Sequence, residues 1–289
     1  MESAKQSTIE SSRANLKGNW LGFMLDIYRR LLGVQVRSQM TYRSSFLLDS
    51  FGVFMIIGFE FSSLALIFWR FNNLGGWQLG EVAVLYGLTT VGFGIMDMVF
   101  SGFDPGYFGR QVRMGALDQI MLRPVSITVQ VLGSAFELRR VGRIAQGFII
   151  LGLAFYLADI HWTLAKLFLI PFVLFGVVCF FGGLFVIGAT ITFWTVESIE
   201  VINIFTYGGN EMMSYPMNIY PIWMRRFFTF ILPAIFLVYY PALYLLDKPD
   251  PFNFPAFSHW LSPLAGLVVL LVALLFWRFG LTHYQSTGT

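Results

Sequence analysis

Charged residues make up only 12% of the chain, and it contains one cysteine and three histidines. The lone Cys179 sits inside an apolar run, so neither a disulfide framework nor a cysteine metal site is available. His161, His259 and His283 are too scattered in sequence to suggest a ligand cluster, and no metal is expected. No glycine-rich loop ends in Gly-Lys-Ser or Gly-Lys-Thr to cradle phosphates, and there is no His-Glu metalloprotease pair or Gly-x-Ser-x-Gly elbow. The chain is therefore expected to be no enzyme and to hold no cofactor, and no nucleic-acid partner is expected. Any uphill transport would draw on an ion gradient or another subunit.

What the chain has is apolar surface: 56% of its 289 residues are hydrophobic and 18% aromatic. That is a composition for the bilayer rather than for water. Runs of about 20 residues, enough to cross roughly 30 Å of hydrocarbon, recur along it. They predict an all-α polytopic membrane protein with six transmembrane helices, at 46–69, 82–102, 144–162, 167–194, 227–246 and 261–277. Residues 1–19 are polar, without the apolar core of a signal peptide, and are expected in the cytoplasm. Over 20–37, Trp20, Phe23, Met24, Ile27, Leu31 and Val34 recur at helical spacing opposite Asp26, Arg29, Arg30 and Arg37. This is the pattern of an interfacial elbow helix with its arginines among anionic headgroups, or of an amphipathic helix docked on the protein's own loops.

Six spans leave 103–143 and 195–226 as cytoplasmic loops and 278–289 as a cytoplasmic tail. On that topology, 16 of the 19 Lys and Arg residues fall on the side of the termini, against Arg70, Lys166 and Lys248. The bias places both termini in the cytoplasm, because positively charged loops resist translocation. The 195–226 segment reads as polar and irregular, with Glu197, Glu200, Gly208-Gly209, Glu211, Pro216 and Pro221.

Three carboxylates fall within the spans, where an ionised group is costly unless paired, neutralised or wet. Glu60 is the deepest; it reads either as a cavity-lining group on a translocation pathway or as a buried hydrogen-bonding group between helices. Asp97 is the second pathway candidate, although Asp49 and Asp97 lie near span ends and can reach the interface. Pro171, Pro233 and Pro241 should each kink a span. Tyr239, Tyr240, Tyr244, Phe252, Phe254, Phe257 and Trp260 form an aromatic belt suited to the outer interface.

Charge concentrates in 103–143, which holds Arg110, Arg113, Arg123, Arg139, Arg140 and Arg143 against Asp104, Asp118 and Glu137. The last three arginines, next to the third span, read largely as positive-inside anchors. The run Arg113-Met-Gly115-Ala-Leu-Asp118-Gln-Ile-Met-Leu-Arg123-Pro124 is different: a glycine and a proline bracket a short helix with defined stops. This run follows an amphipathic entry helix and a span hairpin. It is followed by Tyr215-Pro216-Met-Asn-Ile-Tyr220-Pro221, Ile231-Leu-Pro233-Ala-Ile-Phe and Tyr240-Pro241-Ala.

That order of parts, covering nearly the whole chain after about Trp20, resembles the six-span permease subunits of type-2 (ABC-2-like) ATP-binding-cassette exporters. The resemblance implies that a coupling helix between the second and third spans seats on an ATP-binding subunit, with a second contact between the fourth and fifth. Arg110, Arg113, Gly115, Asp118, Arg123 and Pro124 then become coupling candidates, with Glu197 and Glu200 at the second contact. It also implies two copies of the ATP-binding subunit carrying ATP and Mg, and a second copy of this chain or a similar permease making a dimer. Export of a hydrophobic or amphipathic compound across a bacterial inner membrane would follow. The alternative is a gradient-driven secondary carrier using Glu60 or Asp97 as proton site.

Overall fold

The computed structural model describes residues 20–71, 73–195 and 199–285, and these are helical with no β-strand among them. The helices, in chain order, are α1 Trp20–Thr41, α2 Arg43–Phe71, α3 Leu79–Val99, α4 Pro105–Arg113, α5 Ala116–Met121, α6 Ile127–Leu132, α7 Val141–Leu157, α8 Leu164–Ile191, α9 Ile199–Met213, α10 Ile222–Arg226, α11 Tyr239–Leu245 and α12 Ser262–His283. Five stretches are long and apolar enough to cross a membrane: α2, α3, Leu138–Leu157, α8 and α12. α3 is the central one, buried along nearly its whole length, whereas α2 buries only Ile57, Leu64 and Phe68. α8 and α12 pack closest. A Cβ on Gly266 would strike the Gly176 carbonyl, so these glycines let two backbones meet, as small residues do between helices in lipid.

The fifth predicted span, 227–246, is not a straight helix. α10 runs into a π-helical turn, Phe227–Ile231, and Pro233 then separates it from Ala234–Leu245, the two arms bending by 81°. Both ends of this pair return to one place. Asn218 Nδ2 donates to the Gly75 carbonyl at 2.7 Å before the pair, and Lys248 Nζ donates to Gly76 at 3.2 Å after it. The pair is therefore a re-entrant hairpin that enters and leaves by the face of the Gly75–Gly76 turn.

The polar stretch 195–226 is correspondingly not a loop. Most of it is α9, which begins near the α8 terminus and leads to the Gly75 turn, with the Thr89 hydroxyl near the Met213 carbonyl on the way. α9 and the 214–219 segment thus carry the chain from the end of α8 to the Gly75 turn. Glu211, Asn210 and the paired glycines lowered the apolar signal of α9 because one of its faces is polar. The correction moves Arg225 and Arg226 away from the basic face that holds 103–143, to the far face with Arg70, Lys166 and Lys248. Ion pairs hold the hairpin there: Lys248 to Glu81 at 2.7 Å, and Lys166, almost fully buried, to Asp247 at 2.7 Å.

α1 lies against the central loop. Gln35 Nε2 donates to the Ser134 carbonyl at 2.6 Å, Gln39 Oε1 accepts from the Leu138 amide at 2.9 Å, and Leu31 packs on Gly133. Of the two readings of this helix, contact with the protein's own loop is what these bonds show. Residues 1–19 lie outside the described residues.

Candidate functional site

On the basic face, the chain leaves α3 and builds a hook from α4, α5 and α6. The Asp104 carboxylate caps α4 by accepting from the Tyr107 amide at 2.9 Å, and Pro105 occupies its first turn. Gly115, at φ +68°, stops α4 and turns the chain into α5, a left-handed conformation that a Cβ disfavours. Gln130, buried, donates to the Ile120 and Val125 carbonyls at 3.2 and 3.0 Å, pinning the Arg123-Pro124 turn.

The underside of the hook is welded to the bundle by aromatic rings. Phe108 meets Phe193 and Trp277 edge-on at 5.7 and 5.4 Å, and Phe103 meets Trp277 at 5.1 Å. Trp277, in α12, is fully buried, and its Nε1 donates to the Thr128 hydroxyl at 3.0 Å. Edge-to-face rings each add about 0.5–1.5 kcal/mol beyond their burial. The hook and the ends of α8 and α12 therefore move as one body.

Its tip is open. Arg110, Arg113, Arg123 and Pro124 are all exposed, and between them stand Met114 at 67% exposure and Leu122 at 86%. Pattern reasoning found the arginines but missed the methionine and leucine, whose signal was an apolar pair out of step with the buried face of the hook. Asp118 does not join this tip. It is half-buried beside Tyr284, and burial together with its charge pushes the Tyr284 phenol up. Glu197 lies outside the described residues. Glu200 falls in α9, with its side chain outside them.

The predicted pathway carboxylates separate into two environments. Asp97 does not reach the interface: it is 2% exposed, with Arg140 Nε at 2.9 Å and Arg143 Nη1 at 3.9 Å. Glu137 holds Arg140 at 3.0 Å and Arg139 at 2.9 Å. Two of the presumed anchors are thus partners for a buried charge, and the cluster ties the end of α3 to the start of α7. A buried carboxylate needs such partners.

Glu60, in contrast, is exposed on the flank of α2, its Oε2 accepting from the Tyr86 hydroxyl at 3.3 Å. With Tyr86, Thr90, Arg143, Asn210 and Glu211 it lines a cavity of about 20 Å³, enough for one water. Arg143 reaches this level too, so Glu60 has a basic group near it that sequence depth did not reveal. Around this point α2 exposes Ile56, Glu60, Ser63 and Ile67, and α9 exposes Val201, Ile204, Gly208 and Glu211. Both stripes follow helical spacing; that of α2 carries Glu60 midway, and that of α9 carries Glu211 near its end.

Among the described residues no cluster of His, Cys, Asp and Glu could hold a metal ion. No curated protein and no solved structure matches the chain. A family model described as ABC-2 family transporter protein matches residues 54–288. That span takes in α2 from Phe54 onward, α3 to α12, the hook, the hairpin and the Glu60 cavity, so this multi-pass membrane protein belongs to the ABC-2 family of transporter proteins, as the permease of an ABC-type transporter whose ATPase activity belongs to a separate subunit.

Proposed function

We propose that the chain pairs with a second copy of itself or a similar permease, and with two ATP-binding subunits carrying ATP and Mg, to export an amphipathic or hydrophobic compound across a bacterial inner membrane. The observation that carries this reading is the hook: an exposed tip of arginines around Met114 and Leu122, welded through Phe103, Phe108, Phe193 and Trp277 to α8 and α12. Apolar anchors ringed by charge are what a specific docking surface needs. A rigid link behind them passes motion of the ATPase pair into the bundle. The basic face would then be cytoplasmic, with both termini on it.

The exposed stripes of α2 and α9 support a pathway between two permeases. Glu60 and Glu211 facing hydrocarbon would be costly, whereas a facing protomer or a wet path relieves them. Glu60→Gln should lower transport several-fold with unchanged expression and melting; loss of folded protein without a transport-specific defect would make Glu60 a packing group. The whole reading is tested in vesicles containing the permease and the ATP-binding subunit made alongside it. Transport should stop when that ATPase is disabled while a proton gradient persists. Continued transport would favour the gradient-driven carrier.

A further inference from the structure

On the far face, the hairpin and the 250–254 segment line an open cavity of about 210 Å³ whose lining includes Arg225, Arg226, Phe230, Ile235 and Phe254. We propose that this cavity binds the anionic headgroup, phosphate or carboxylate, of an amphiphile whose chain lies in the adjoining leaflet. The hook is not involved, and the site stands whether or not the cargo pathway runs past Glu60.

Two cations stand against one acid at this cavity. Neither Arg225 nor Arg226 makes an ion pair among the described residues. The nearby acid is Asp250, and both its oxygens are committed, accepting from the Phe252 and Phe254 amides at 2.8 and 2.6 Å. Asp250 thereby shapes the rim of the cavity. Arg225 is half-buried. Its guanidinium lies over the Phe252 ring at 5.2 Å, and its Nε is buried without a hydrogen-bond partner. A buried donor left unmet costs about 1–3 kcal/mol, more for a charged group, and an anionic oxygen removes that cost. Arg226, exposed beside it, supplies a second charge.

The shape fits a headgroup and not a whole lipid. Sites that engulf drug-sized ligands measure roughly 300–1,000 Å³; this one takes a head and its first carbons. Phe230, 76% exposed, continues the apolar wall outward where a chain would run. Placing two arginines on the far face also opposes the usual charge bias of membrane proteins, which suits a binding role better than an anchoring one.

The test uses the full-length permease in neutral detergent, titrated with dodecyl phosphate and followed by native mass spectrometry. Saturable binding is expected, weakened about tenfold or more by Arg225→Gln, as loss of a charge-assisted fork predicts. The exposed Arg226→Gln should weaken it several-fold without risk to folding, Arg225→Lys should fall between, and Arg278→Gln, on the basic side, should change nothing. Equal binding by wild type and both glutamine variants, or preference for dodecyltrimethylammonium, overturns the proposal. Two further arms separate the sources of the anion. Anionic phospholipid carried through purification by wild type and lost in Arg226→Gln identifies a bilayer lipid. Arginine-dependent stimulation of ATP turnover by dodecyl phosphate, with the ATP-binding subunit in neutral-lipid vesicles, identifies cargo. Arginine dependence in neither arm overturns the assignment. Because the micelle titration needs no ATP-binding subunit, failure of this site and failure of the coupling reading are separately visible.

Discussion

The hook on the basic face and the hairpin on the far face both set arginines beside exposed apolar side chains, yet they are built in opposite ways. The hook is braced from beneath: Gln130 pins its turn, Gly115 fixes its corner, and Phe108 locks it against Trp277 and Phe193. Only its tip, Leu122 and the surrounding arginines, is free to meet another body. The hairpin is held at its ends, by Lys248 to Glu81 and Lys166 to Asp247, and its Arg225 is half-buried, with Nε buried against the Phe252 side of an open cavity. Bracing suits a part that must transmit force, whereas a half-buried cation suits one that must recognise a small anion. Similar residues do different work because the arginines of the hook are exposed and Arg225 is half-buried.

The comparison can be broken at its strongest point first. Trp277→Ala removes the ring that joins hook to bundle and should destabilise the protein by about 3–5 kcal/mol, read as a large fall in melting temperature in detergent. Little change would mean that the hook is not welded. Asp97→Asn strips Arg140 and Arg143 of their acid. The usual cost of breaking a buried pair is about 3–5 kcal/mol, and we expect its lower end, because Arg140 keeps Glu137 and is 20% exposed. A double-mutant cycle with Arg140→Gln should recover part of that loss; simple additivity would show the two residues do not act as a pair.

Leu122→Asp combined with Arg113→Glu should leave melting unchanged. It should weaken capture of the ATP-binding subunit by about thirtyfold, the loss of a single hot spot of about 2 kcal/mol. Undiminished capture would move the contact elsewhere. Smallest is Lys248→Met on the far face. The ion pair with Glu81 is about one-fifth exposed, so about 1 kcal/mol is expected, with the hairpin becoming easier to cleave by protease before the bundle unfolds.

The short helix of the hook was legible in the sequence because its signals are local: a glycine at its start and a proline after its end. The hairpin was not. Its apolar run from Phe227 has the composition of a span, and hydropathy does not distinguish a chain that crosses from one that turns back; the π turn and Pro233 decide that through geometry. α9 was hidden for the converse reason, since Glu211, Asn210 and the glycine pair made a helix look like a loop. Asp97 lay outside reach because its partners come from α7 and the turn before it, and only folding brings them together. Glu60 stood out by depth alone, and its neighbours Tyr86, Arg143 and Glu211 arrive from three other helices.

The contrast between the two faces meets its most direct test in site-specific crosslinking, with Cys179 buried and so a quiet background. Single cysteines replace Leu122 on the hook and Phe230 on the hairpin, and each full-length variant is labelled with benzophenone maleimide and irradiated with the ATP-binding subunit, so that the thiol takes the maleimide and the ketone inserts into a neighbouring C–H bond. The account predicts a crosslinked permease–ATPase band from Leu122→Cys and none from Phe230→Cys. A band from Phe230→Cys, or none from Leu122→Cys while the subunit stays bound, would contradict it.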